Sequence, residues 1–259
     1  MEPDFELTDE RWNLISDLFH EPPRRPQGGR PPAPARGCFE GILWILRSGA
    51  RWKDLPKHFP SSTTCWRRHK EWTEAGVWKT AWARLVRALD RRGRVKHEES
   101  FADGTFSPAK KGAKRLGKTK RGKGTKIMVF TDAEGLPLGA DTASASPHEV
   151  TLIEPLLETR VLRRKPQRLV YDEAADSDPL RERLQQRGIE LVCRHRRNRV
   201  KPPTQDGRKL RRFRRRWKVE RSISWLQNFR RLVTRYEFHA HLFHGFVQLA
   251  CLIVVLGRF

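Results

Sequence analysis

Leu169-Val170-Tyr171-Asp172 sets a carboxylate directly behind a short apolar run. Arg168 to Tyr171 predicts a buried strand, and Ser100-Phe101-Ala102 followed by Asp103 repeats the pattern. Further strands are predicted at Lys126 to Phe130, near Leu136 to Thr142 after the turn Asp132-Ala133-Glu134-Gly135, and at Ile189 to Cys193. Ser146-Pro147-His148-Glu149 reads as a capping box opening a helix through about Leu157, and Asp178-Pro179 starts a helix that Gly188 stops. A long helix is expected from about Phe213 to Tyr236. Three strands, helix, strand, helix, strand, helix is an α/β order. It places Asp103 and Asp172 at carboxyl ends of strands, where open sheets hold their ligands. No internal repeat is visible.

The long helix carries a third acid. Glu220 sits in Arg211-Arg212-Phe213-Arg214-Arg215-Arg216-Trp217-Lys218-Val219-Glu220-Arg221, and the only acids after residue 190 are Asp206, Glu220 and Glu237. A lone carboxylate in a basic helix is either an ion-pair partner, here of Arg216, or a group kept to hold a metal. Arg216, Glu220, Ser224, Gln227 and Arg231 recur at three- and four-residue steps, with Ile223, Leu226 and Val233 on the apolar side. Phosphodiester chemistry needs charge stabilised on both attacking and leaving oxygens. Two Mg²⁺ or Mn²⁺ ions about 4 Å apart do this, and hard cations prefer carboxylate oxygen. Asp103 and Asp172 could bridge such ions and Glu220 complete the set. Near Asp172, Asp178 reads as a helix cap and Asp176 as a loop or supporting acid.

Composition points to a polyanionic partner. The net charge is +24, and residues 101–259 hold 35 Lys/Arg against 16 Asp/Glu, whereas residues 1–100 hold 19 against 14. Such a field attracts phosphate backbone; a basic structural or ribosome-associated protein shares the composition. The nine Trp, seven of them before residue 83, argue for packed rather than disordered structure. Cys38, Cys65, Cys193 and Cys251 show no metal-site spacing and are expected as buried thiols. The acidic Met1-Glu2-Pro3-Asp4 start has no signal-peptide core, and the longest apolar stretch, Phe246 to Leu256, is well short of the roughly 20 residues of a membrane span. A cytoplasmic, nucleoid-associated protein with no membrane partner is expected.

The first third reads as helices: Thr8 capping about Asp9 to Phe19, a Pro/Arg-rich linker over 22–36, Gly37 to Ser48 stopped by Gly49, a helix opened by Ser61 or Ser62 and ended by Gly76, and Val77 to Leu89. In the third helix Trp66 and Trp72 are candidates for the core. Thr63, Thr64, Arg67, Arg68 and Lys70 give the polar side of a helix-turn-helix DNA reader, although any helical bundle offers a similar pattern. Two cationic runs, Lys110 to Lys126 and 194–218, bracket the carboxylates and suggest a DNA backbone channel. His239, His241 and His244 head an apolar terminal helix and read as core or surface histidines.

Together these segments resemble the DDE transposases of bacterial insertion sequences, in the insertion-sequence-five-like group, over nearly the whole chain. Gly29-Arg30-Pro31-Pro32, Gly49-Ala50-Arg51-Trp52-Lys53-Asp54-Leu55-Pro56 and Trp72 through Trp78 are similar to that family's N-terminal DNA-binding domain. Asp103-Gly104-Thr105 and Tyr171-Asp172-Glu173-Ala174-Ala175-Asp176-Ser177-Asp178 resemble its first two catalytic blocks. The third block, Tyr, two residues, Arg, three residues, Glu, six residues, Lys, is met by Phe213, Arg216, Glu220 and Gln227; Phe213 offers no hydroxyl and Gln227 no cation. The resemblance implies a small all-α helix-turn-helix-like domain over 1–95, then an RNase H-like mixed sheet with flanking helices over 96–259. It also implies Asp103, Asp172 and Glu220 as catalytic ligands of Mg²⁺ or Mn²⁺, and an oligomer on double-stranded DNA. Arg67, Arg68, Lys70, Lys123, Lys126, Arg216, Gln227 and Arg231 are the expected DNA contacts. An RNase H-fold nuclease without strand transfer, or a catalytically silent DNA-binding repressor, fits the same residues.

Overall fold

The apolar runs pair into one mixed sheet in the computed structural model, which describes residues 6–21, 28, 31–110, 113–205 and 207–259. Its strands are β1 (Glu99–Pro108), β2 (Gly117–Thr119), β3 (Gly122–Thr131), β4 (Pro137–Ser144), β5 (Arg168–Val170) and β6 (Glu190–Val192). The order is β2-β3-β1-β5-β6, with β4 also on β3. β3 runs antiparallel to β1 and β4 antiparallel to β3, while β5 and β6 extend the other side in parallel. Three long antiparallel strands, β1, β3 and β4, with the short β2 between the first two in sequence and parallel strands added beside β1, make the RNase H-like arrangement.

Strand alternation decides which residues face which layer. Phe101, Val170 and Val192 lie side by side on β1, β5 and β6, and Val219 of a covering helix closes over them as a small separate core. The opposite face, with Ala102, Leu169, Tyr171, Leu191 and Cys193, joins the main core. Asp103, two residues beyond Phe101, therefore shares the helix-covered face. It lies within β1 rather than beyond its end as the sequence suggested, because β1 continues to Pro108.

Among the described residues four α-helices precede the sheet: α1 (Asp9–Asn13), α2 (Ala35–Ser48), α3 (Ser62–Glu74) and α4 (Val77–Arg91). Thr8 caps α1 by accepting from the Arg11 N–H, and Ser61 caps α3 by accepting from Thr64. The first helix is shorter than expected: the chain tightens into a 3-10 turn at Ser16–Leu18, and Ile15 and Phe19 are both buried. On α3 the inward positions are taken by Cys65, His69 and Trp72, so Trp66, expected in the core, is 39% exposed. Much of the expected 22–36 linker (22–27, 29 and 30) lies outside the described residues.

The second half adds α5 (Ile153–Glu158), α6 (Asp178–Gln186), α7 (Gly207–Leu210), α8 (Trp217–Gln227), α9 (Arg230–Val233) and α10 (Ala240–Leu256). The expected capping box at residue 146 opens no α-helix. The Ser146 hydroxyl accepts from the Lys118 N–H instead, and a 3-10 turn over Glu149–Leu152 delays α5. Ser177, not Asp178, caps α6. The single helix expected over 213–236 is three pieces: a 3-10 turn (Arg211–Arg216), α8 and α9. The break falls at Phe229, whose extended backbone drives its ring fully into the core. Val233, the last residue of α9, is exposed rather than on an apolar helix face, and beyond it the chain runs extended.

The helical layer and the sheet share one core, since α10 packs on α3, α4 and β4. All four cysteines are buried and free. Among the described residues no helix is long and apolar enough to cross a membrane. His69 is one of the joints: its Nε2 faces the Leu242 carbonyl at 3.0 Å, its ring stacks on Phe246 at 4.0 Å, and its Nδ1 has no partner. Burial lowers its pKa to about 4. The unfolded chain therefore binds this proton more readily between about pH 6.5 and 4, and stability drains as pH falls through that window. Unfolding free energies measured by urea titration at both ends should differ by about 3 kcal/mol from this residue alone. His69→Gln, which keeps a donor for Leu242, is expected to flatten that part of the curve.

Candidate catalytic carboxylate site

The parallel register pairs Ser100 with Leu169 and Phe101 with Val170, so continuing it two residues sets Asp103 beside Asp172. Arg216, at the entry to α8, reaches both carboxylates. Its Nη2 is 2.9 Å from Asp103 Oδ2 and its Nη1 is 3.8 Å from Asp172 Oδ2. The helix is fixed by Ser222, which donates to the Gly135 carbonyl at 2.7 Å, and by Lys218, which donates to Ala133. Gly135 makes that turn at φ 82°, and Asp132 organises it by accepting from the Glu134, Leu136 and Lys96 N–H groups.

Burial dominates the electrostatics. It pushes Asp103 up to about 6 despite Arg216, with the charges of Asp172 and Glu149 adding to the rise. Asp172 is raised too, chiefly by burial, against the Ala174 N–H that its Oδ1 accepts and against Arg216. Two acids held at one spot with insufficient positive charge form a site that favours a cation.

Glu149 is the acid that sequence reading passed over as part of a helix cap. Because the 3-10 turn replaces the helix, its carboxylate accepts from the Tyr171 hydroxyl at 3.1 Å and lies 3.5 Å from Lys126 Nζ. A side chain on Gly104 would sit 3.6 Å from it. Its only sequence signal was position, in the turn after three strands. Asp176 supports the loop behind Asp172: it accepts from Arg181, His195 and the Arg196 N–H, while Arg196 donates to the Glu173 and Ala174 carbonyls. Burial opposes ionisation, yet these donors hold Asp176 down at about 2.

Glu220 stands exposed on α8, one turn past Arg216. The sequence alternative of a Glu220–Arg216 ion pair is not formed, since Arg216 is committed to the aspartates. Among the described residues no three His, Cys, Asp or Glu side chains are grouped closely enough to hold a metal ion. The fold thus brings Asp103 and Asp172 together and sets Glu220 apart from them, on the neighbouring helix.

The expected DNA contacts fall into two groups. Lys123 is exposed on β3, Gln227 is exposed and donates to Thr105 Oγ1 at 2.9 Å, and Arg67 and Lys70 lie on the outer side of α3 near Glu71 and Glu74. Lys126 is half-buried, with its ammonium on the Pro147 carbonyl. Arg68 and Arg231, by contrast, are buried and structural. Arg68 pairs with Glu71 at 2.7 Å, and Arg231 pairs with Glu237 at 2.7 Å and donates to the Ala50 carbonyl. Neither side chain is presented to solvent as an outward DNA contact requires. Part of the 194–218 run is likewise committed: Arg199 pairs with Asp176 and Asp178, and Arg212 and Arg215 with buried Glu99. His244 hydrogen-bonds Thr142 and His241 faces Glu74, as core and surface roles require.

The mixed sheet thus carries adjoining aspartates, Asp103 and Asp172, beside a helix that bears Glu220. Residues 94–255 match the family model "Transposase DDE domain", and residues 7–95 match "Putative transposase of IS4/5 family". The chain belongs to the transposase DDE domain family. The "Putative transposase for insertion sequence element IS402" of Burkholderia cepacia is 38% identical over 139 residues, which is 51% of this chain and 62% of that protein. The "Insertion element IS402 uncharacterized 16.2 kDa protein" of the same organism is 36% identical over 117 residues, covering 44% of this chain and 80% of the relative. The chain thus spans less than two thirds of the first of these. Among solved structures, a piggyBac transposase synaptic complex with hairpin DNA superposes with a TM-score of 0.54 at 11% identity, covering 97% of this chain and 73% of that one. At that identity the likeness concerns the fold.

Proposed function

We propose that this chain is the transposase of an insertion element. It binds the terminal inverted repeats at the element ends, hydrolyses a phosphodiester there, and joins the freed 3′-hydroxyl to target DNA. The observation that carries the reading is Arg216 lying 2.9 Å from Asp103 and 3.8 Å from Asp172, which puts the two acids together in a chain of the transposase DDE domain family. Asp103 and Asp172, both raised above the ordinary carboxylate range, would hold Mg²⁺ or Mn²⁺, and Glu220, set apart from them on α8, would complete the set only by moving in toward the pair. Bound there, two such ions would supply charge neutralisation for the attacking and leaving oxygens.

The chain's own residues do the rest. Arg216, buried against the two aspartates, holds them in place and acts as a positioning residue rather than an outward phosphate contact. Gln227, tied to Thr105 on β1, offers an amide at the far end of the same helix. Lys123 and Lys126 on β3 place positive charge beside the strand that bears Asp103. Arg67 and Lys70 on α3 contact element-end DNA, and the active form is a homo-oligomer on double-stranded DNA in the cytoplasmic nucleoid. Arg67→Ala is expected to weaken end binding and to lower the slope of log affinity against log salt by about 1. An unchanged slope would remove α3 from the DNA interface.

A strand-transfer assay tests the function. A labelled duplex bearing the element end is incubated with protein, Mg²⁺ and a supercoiled plasmid. Label joined to the plasmid is expected. Cleavage without joining would make the chain a nuclease, and bound but uncut DNA would make it a repressor.

A further inference from the structure

Tyr236 and Phe238 are 45% and 48% exposed, although the residues beside them, Arg235 and Glu237, are buried. Beyond α9 the chain runs extended beside the end of β1. Arg235 bridges to Ala109 in parallel, the Lys110 N–H donates to the Arg235 carbonyl at 3.0 Å, and the Lys114 N–H donates to Phe238 at 2.9 Å. Alternation along this segment turns Arg235 and Glu237 inward and Tyr236 and Phe238 outward. Arg235 is fully buried and anchors the segment by donating to Thr125 Oγ1 at 2.8 Å and to the Lys114, Glu237 and Phe238 carbonyls.

Cations lie over both rings, so a base stacking there takes the place of a lysine ammonium. Lys110 lies 5.9 Å and Arg231 4.9 Å from the Tyr236 centroid, and Lys114 lies 5.2 Å from that of Phe238. Rings two residues apart on an extended chain repeat at about 7 Å, twice the roughly 3.4 Å rise of stacked nucleotides. From Asp103 to Pro108 the strand covers about 17 Å, or about five nucleotides of rise.

We propose that Tyr236 and Phe238 form a stacking platform for unpaired DNA bases, a few nucleotides from the phosphate at Asp103 and Asp172. The proposal rests on the transposase reading in taking DNA as the partner and Asp103 and Asp172 as the place of the reacting phosphate. Aromatic faces beside lysines suit nucleic acid because base stacking is tolerant of sequence while the lysines meet the backbone. Paired bases are already stacked inside a duplex, so exposed rings gain from single-stranded or splayed DNA. The lysines beside the rings favour a polyanion over a second copy of this chain as the occupant of this patch.

The test uses the full chain and fluorescence anisotropy at fixed salt, with two probes: an oligothymidylate of about 12 nucleotides and a blunt duplex of the same length. Tyr236→Ala/Phe238→Ala is expected to weaken binding of the single strand by about 30-fold or more while changing duplex binding by less than about two-fold. Tyr236→Trp/Phe238→Trp is expected to restore the single-strand affinity, which a folding defect would not allow. Equal losses on both probes, or no loss on either, would overturn the platform. So would a double alanine variant whose only change is loss of self-association in sedimentation. Wild-type protein that bound neither probe would overturn the DNA reading itself, a result separable from a failed platform.

Discussion

Asp103→Asn, Asp172→Asn and Glu220→Gln are each expected to lower end cleavage and joining by about a thousandfold or more, a barrier increase of about 4 kcal/mol. Each change keeps the shape of the side chain and removes the charge that a hard cation requires. The aspartate variants should nevertheless be well folded. Asp103 is raised to about 6 chiefly by burial, so its ionised form costs stability as pH rises from about 4 towards and past 6. The neutral amide lacks that cost. Asp103→Asn is therefore expected to melt no lower than wild type at pH 8, and its advantage should shrink as the pH approaches 4. Loss of activity with retained or increased stability is what separates a functional carboxylate from a structural one. Normal cleavage by any of the three variants would take that residue out of the reaction.

Arg231→Met carries the largest expected cost in stability. Arg231 is 4% exposed, its Nε and Nη2 both lie 2.7 Å from Glu237 Oε1, and its Nη1 donates to the Ala50 carbonyl at 2.8 Å. The same side chain thus joins the loop after α2 to the segment after α9. Glu237 is buried, Arg231 meets its Oε1, and its Oε2 has no hydrogen-bond partner among the described residues, so removing the arginine strands an uncompensated charge. Breaking such a pair costs about 3–5 kcal/mol, whereas replacing both members by apolar residues is often close to neutral. Arg231→Met should lower the melting temperature by about 10 °C for a chain of this size, and adding Glu237→Leu should recover most of the loss. Equal stability of the single and double variants would show that the Glu237 charge is not stranded.

The strands and the two aspartates were legible because a buried parallel strand writes itself as a short apolar run, and an acid behind such a run has little structural reason to be there. Asp103 was misplaced by the length of β1, since the half-exposed Gly104 to Phe106 stretch carries no apolar signature. The C-terminal helix was read as continuous because Asn228 and Phe229 contain no Gly or Pro to mark the break; the burial of Phe229 decides it. That error also put Arg216, Glu220 and Arg231 on one face, when Arg216 and Arg231 are buried and Glu220 is exposed. Arg68 and Arg231 could not be told from surface arginines by spacing, because burial of an arginine depends on partners far away in sequence. Glu149 was hidden by a capping pattern that the fold uses differently.

Titration of Mn²⁺ into the free full-length protein, followed by calorimetry, bears most directly on whether Asp103, Asp172 and Glu220 form one site. Wild type is expected to bind, Asp103→Asn and Asp172→Asn to lose binding, and Glu220→Gln to bind at least about tenfold more weakly, or about 1.4 kcal/mol. Glu220→Gln binding as tightly as wild type would leave the aspartate pair as the whole site and Glu220 as an acid on the surface of α8.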